Sequence, residues 1–106
     1  GAAMLGPVFG IEDEEIADAV KYHTTGRADM TMLEKIIFVA DAAEQTRTYD
    51  KMVAEWRKKA KTNLDEAIVM ILNYNILKVV KKGFVLHENT VKARNYILVN
   101  KNGRDD

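Results

Sequence analysis

The chain has 106 residues, sixteen basic (Lys plus Arg) and sixteen acidic (Asp plus Glu), and no cysteine. Zero formal charge gives no global field to gather nucleic acid or an anionic membrane. The absence of cysteine excludes disulfides and thiolate metal sites and fits a reducing cytoplasm. Apolar runs such as Ala67 to Leu72 are too short to span a bilayer, and no signal peptide is visible. The length allows one domain with a small core.

Residues 1–9 are small and apolar, and Gly6-Pro7 weakens any helix there. Gly10 breaks the chain. Asp13 is placed to cap a helix from Glu14 to about Tyr22, with Ile16, Ala19 and Val20 on one face. A polar loop follows His23. Thr31 and Glu34 form the Thr-x-x-Glu capping box of a second helix, whose buried stripe is predicted as Leu33, Ile36, Ile37 and Ala40. That helix should fade near Thr46, with a linker from Arg47 to Asp50. A third helix is expected over Lys51 to Lys61, packing through Met52, Val53, Trp56 and Ala60. Thr62 to Asp65 repeats the capping pattern and opens the longest helix, closed by Gly83 near Lys82. Its core face is Leu64, Ile68, Ile71, Leu72 and Val79. Phe84 to Leu86 reads as extended, Asn89 or Thr90 caps a last helix to about Asn100, and the tail from Lys101 should fray. The fold class is all-α, with about five helices.

Two side chains stand out as candidate ligands. His23 sits at the mouth of a glycine-containing loop, and Asp41 lies late in the most apolar helix, at the edge of its stripe. Imidazole and carboxylate are the groups that divalent metals recruit. Alone, such a histidine is usually a hydrogen-bonding or dipole-compensating helix end, and such an aspartate is as often a salt-bridge partner as a ligand. In Thr24-Thr25-Gly26-Arg27, the hydroxyls, the freed backbone N–H groups and the guanidinium suit a phosphate; a solvated turn is the plainer alternative. Trp56 reads as core, and Arg57-Lys58-Lys59 as a solvated helix face.

Tyr22 to Arg27, Leu33 to Asp41 with Arg47, Asn63-Leu64-Asp65 and Ala93-Arg94-Asn95, with Gly10 to Ile16, together resemble the YqeK-like branch of the HD superfamily. Members of that branch are symmetrical bis(5'-nucleosyl)-tetraphosphatases. The resemblance covers nearly the whole chain, but only the C-terminal half of such a protein.

It implies an HD-domain-like helical bundle in which residues 1–106 are the C-terminal part of one domain, starting inside a helix. It makes His23 and Asp41 metal ligands, two of the six that such sites use, the other four lying before residue 1. It makes His23, Thr24, Thr25, Arg27, Arg47, Arg94 and Asn95 substrate-binding residues, and gives Arg27 and Arg47 the task of stabilising charge on phosphate. The implied cofactor is a divalent metal, iron first and manganese or another ion as alternatives. The implied partners are a nucleotide and either the N-terminal half of the protein or a second copy of the chain; neither nucleic acid nor a membrane is expected. The complete protein would cut diadenosine tetraphosphate into two ADP, and this chain alone would be inactive. Other readings are an HD phosphohydrolase of another nucleotide, or a non-catalytic helical module binding nucleotide or protein. Two departures matter: Ala28 replaces a usual proline, and Ala42-Ala43-Glu44-Gln45 replaces a usual Tyr-Ile-Glu-Pro.

Overall fold

The computed structural model describes residues 13–46 and 50–105. Expectations for residues 1–12, for Arg47 and its linker, and for Asp106 lie outside them. Among the described residues the fold is all-α: α1 (Asp13–Lys21), α2 (Met32–Gln45), α3 (Asp50–Thr62), α4 (Leu64–Lys82) and α5 (Glu88–Asp105), with no strand. Helix α4 is the central element, packed by α2, α3 and α5, while α1 lies on α2.

Local chemistry sets the boundaries. The capping box of α2 is present in both directions: Glu34 N–H donates to Thr31 Oγ1, and Thr31 N–H donates to Glu34 Oε2, each at 3.2 Å. The predicted cap at Thr62 is displaced by one residue. Thr62 Oγ1 instead donates to Lys59 O and ends α3, and Asn63 Oδ1 accepts Glu66 N–H to open α4. Asparagine is as good a cap as threonine, and a one-residue link between helices leaves room for only one of them. Helix α4 closes in a Schellman motif: Gly83 is left-handed at φ +74°, its N–H reaches Val80 O, and Phe84 N–H reaches Val79 O. The start of α5 also differs from expectation. His87 caps it, with Nδ1 accepting Asn89 N–H at 3.0 Å, and the helix runs on past Asn100 to Asp105.

The core lies where α2, α3 and α4 meet. Phe38, Val39, Ala43, Val53, Trp56, Ile68, Ile71 and Leu72 are buried, with Met30 and Ala93 completing the cluster. Trp56 meets Tyr74 edge-on, at 5.6 Å between ring centroids, the arrangement their quadrupoles favour. The stripe predicted for α2 needs correction. Its buried residues are Glu34, Phe38, Val39 and Ala43, whereas Ile36 is 52% exposed, Ala40 is exposed, and Leu33 and Ile37 are half-buried. So apolar a helix offers more than one possible inward face, and periodicity does not choose between them. Val20, expected beside Ile16 and Ala19, is exposed as well.

Candidate active site

After α1 the chain curls tightly. Tyr22 N–H bonds Asp18 O, His23 N–H reaches Val20 O, and Gly26 N–H returns to Tyr22 O at 2.9 Å. Gly26 then takes φ +74°, and its Cα passes so close to α5 that a Cβ there would sit 3.2 Å from Ala93 Cβ. The turn is thereby set down on Ala93 and Leu72, and its first residues, His23 to Thr25, face the last turns of α2.

Between them opens a cleft of about 560 Å³, within the usual range for small-molecule sites. His23, Thr24 and Thr25 form one wall. Phe38, Asp41, Ala42, Gln45 and Thr46 from α2 form the second. Asn75, Lys78 and Val79 from α4, with Val85, Leu86, His87 and Thr90, form the third. Four of the residues singled out from the sequence, His23, Thr24, Thr25 and Asp41, therefore share one site.

The two histidines have opposite hydrogen-bonding roles. His23 Nδ1 pairs with Val20 O. A carbonyl only accepts, so Nδ1 carries the proton and Nε2 of the neutral ring keeps its lone pair. His87 Nδ1 accepts from Asn89 N–H, which places the proton of its neutral ring on Nε2. The cleft thus holds one imidazole fit to ligate or accept and one fit to donate. Asp41 brings a carboxylate and Lys78 an ammonium.

The remaining candidates among the described residues lie elsewhere. Arg27 does not line the cleft. Its Nε and Nη2 donate to Glu34 Oε1 and Oε2 at 2.5 and 2.8 Å, Asp18 stands 3.6 Å away, and the guanidinium stacks 4.6 Å over Tyr22. The Glu34 carboxylate is 1% exposed. Burial pushes its pKa up, but the Arg27 hydrogen bond, the Thr31 N–H and the guanidinium charge outweigh that and hold it below the ordinary value. Arg27 is held correspondingly high, chiefly by its hydrogen bond to Glu34. Arg94 Nε donates to Asn73 Oδ1 at 2.5 Å, Asn95 is exposed, and neither lines the cleft. The expected nucleotide contact of these two residues finds no support in this geometry. The sequence reading places His87 in a loop without a role and does not single out Lys78 or Asn75. The signal available was the spacing of Asn75, Lys78 and Val79, which share one helical face.

The donor types suit a divalent metal. Their number is short: among the described residues no cluster of three or more His, Cys, Asp or Glu side chains could hold one.

The symmetrical bis(5'-nucleosyl)-tetraphosphatases of Bacillus subtilis and of Halalkalibacterium halodurans are 37% and 39% identical to the chain. They cover 92% and 93% of it, and 52% of each relative's own length is matched. A crystal structure described as a predicted HD superfamily hydrolase involved in NAD metabolism, from Clostridium acetobutylicum, superposes with a TM-score of 0.77 at 42% identity. It covers 93% of this chain and 52% of that one. Over nearly its whole length the chain is thus similar to an HD-superfamily hydrolase. No protein-family model matches it. The chain spans about half the length of the relatives it matches. Among the described residues, no helix is long and apolar enough to cross a membrane.

Proposed function

We propose that the complete protein carrying this chain hydrolyses dinucleoside polyphosphates, cutting diadenosine tetraphosphate symmetrically into two ADP. The observation that carries this reading is the meeting of His23, Thr24, Thr25 and Asp41 on one cleft, in a chain 37% and 39% identical to relatives named for that reaction.

Hydrolysis adds water at phosphorus, breaks the central phosphoanhydride and expels ADP. The chain's own groups answer the charge that develops. The Thr24 and Thr25 hydroxyls and the Lys78 ammonium donate to phosphate oxygens, and His87 donates through Nε2. Arg47, outside the described residues, is assigned the same task by its position in the sequence, six residues after Asp41. The apolar part of the wall, Phe38, Val79, Val85 and Leu86, takes the adenosine moiety and excludes water from it. His23 Nε2 and Asp41 would hold a divalent metal, iron first and manganese as the alternative, together with ligands from the rest of the protein. Such an ion supplies Lewis acidity toward a phosphoryl oxygen and acidifies bound water.

Residues 1–106 are, on this reading, the C-terminal part of a single HD-type domain, inactive alone. The exposed side chains of Met32, Ile36 and Ala40 on α2 are covered in the complete protein by the region corresponding to the other half of the relatives, which brings the missing ligands. An HD phosphohydrolase of this kind works in the cytoplasm on a free nucleotide and needs neither membrane nor nucleic acid.

Incubation of the complete protein with diadenosine tetraphosphate and a divalent metal, followed by anion-exchange separation, tests the reading. ADP as the sole adenine product is expected. ATP plus AMP, or intact substrate, would refute it.

A further inference from the structure

The Arg27–Glu34 pair is the most completely built polar feature outside the cleft, and it joins the two elements that carry His23 and Asp41. Glu34 and Asp41 are seven residues apart on α2, so they lie on nearly the same face, two turns or roughly 10 Å along the axis. On the facing turn, His23 and Arg27 are four residues apart. Helix α2 therefore meets the turn at two levels: Asp41 on the cleft shared with His23, and Glu34 against Arg27.

We propose that Glu34 and Arg27 are positioning residues, a clamp that fixes the His23–Thr25 turn on α2 and so sets where His23 stands relative to Asp41. This rests on the reading of the cleft as the hydrolytic site. The guanidinium is held on every side that matters. Glu34 takes its Nε–Nη2 edge, Asp18 of α1 flanks it at 3.6 Å, and the ring of Tyr22, the residue next to His23, lies beneath it at 4.6 Å. Thr31 N–H donates to the same carboxylate, so one buried side chain ties down both ends of the segment from Arg27 to Thr31. Planar two-point bonding is what a lysine in place of Arg27 would lack. A fork already filled by Glu34 is also a poor phosphate ligand.

The deciding variants are Arg27→Lys and Glu34→Gln in the complete protein. Arg27→Lys keeps a positive charge beside Glu34 and Asp18, and so keeps the fold while losing the fork. Because ångström-scale misplacement of a reacting group costs up to about a hundredfold, kcat for ADP release should fall roughly tenfold to a hundredfold. KM should change little, because no substrate contact is removed. The double variant should be no worse than the worse single variant. In the metal-free protein, long-range 1H–15N spectra should show the His23 imidazole resonances displaced or broadened in both variants, with those of His87 unmoved.

A raised KM that recovers at low salt, with kcat intact, would make Arg27 a phosphate contact and overturn the proposal. A lower melting temperature with kcat and the His23 resonances unchanged would make the pair merely structural and overturn it equally. If the wild-type protein does not cut diadenosine tetraphosphate, the functional reading fails on its own. The His23 spectra then still decide the clamp, and unmoved resonances sink it.

Discussion

Gly26→Ala is the substitution to which the site should be most sensitive for its size, and Gly83→Ala provides its control. Both glycines have φ +74°, so an alanine at either position pays the left-handed penalty of about 1–2 kcal/mol. At Gly83 nothing lies within 4 Å of the new Cβ, so the cost should stop there. At Gly26 the Cβ meets Ala93 Cβ at 3.2 Å, with Leu72 and Met30 side chains at 3.8 Å. Ala93 is buried on a packed helix and has no flexible end to swing away. Overpacking of this kind adds about 1–3 kcal/mol, so Gly26→Ala should cost roughly 2–5 kcal/mol against about 1–2 for Gly83→Ala. Urea unfolding of the complete protein measures both. The crowding can be isolated by repeating Gly26→Ala in an Ala93→Gly background, where the Cβ finds room. Its cost there should fall to that of Gly83→Ala, whatever Ala93→Gly costs by itself. Equal costs for the two glycines, or no relief from Ala93→Gly, would refute the claim that α5 sets the height of the turn.

Two further outcomes are expected. Asp41→Ala in the complete protein should abolish hydrolysis and metal retention, read by elemental analysis, while the half-buried side chain's loss leaves the helical circular dichroism intact; wild-type metal content would make Asp41 structural. Glu34 has its folded pKa below the ordinary 4.5, so the unfolded chain binds the proton first and stability rises with pH through that range. The contribution is therefore full above about 4.5 and is lost as pH falls through the depressed value. Glu34→Gln should flatten the acid limb of the melting-temperature profile below pH 5, and an unaltered limb would show that the pair contributes nothing to acid stability.

The helices were readable because their ends carry short-range chemistry. Thr31 with Glu34, and Gly83 after Lys82, are signals whose partners lie within five residues, and both appear in the structure as read. The choice of inward face was not local. Helix α2 offers Leu33, Ile36, Ile37 and Ala40 as readily as Phe38, Val39 and Ala43. The choice depends on what α3 and α4 bring to it. The site divided in the same way. His23 and Asp41 could be named from residue type and resemblance, but Lys78 and His87 reach the cleft only through the packing of α4 and the segment after it. The cap at His87 was hidden because histidine is an uncommon cap residue, whereas Asn89 and Thr90 are favoured ones.

Residues that carry the resemblance also have packing roles in the structure. Ala93-Arg94-Asn95 was read as a nucleotide-contacting segment. In the structure Ala93 is the small residue that lets Gly26 approach α5, and Arg94 bonds Asn73 and so ties α5 to α4. Arg27, expected as a phosphate ligand, is bonded in the structure to Glu34, which the sequence marks as half of a capping box. A capping glutamate ordinarily spends its carboxylate on one backbone N–H. Here the same carboxylate also takes the guanidinium, which is why it can be buried without losing its charge. The elements that place His23 opposite Asp41 are thus Gly26 against Ala93 on one side and Arg27 against Glu34 on the other. Neither pair need touch a substrate to explain why these residue types stand where they do.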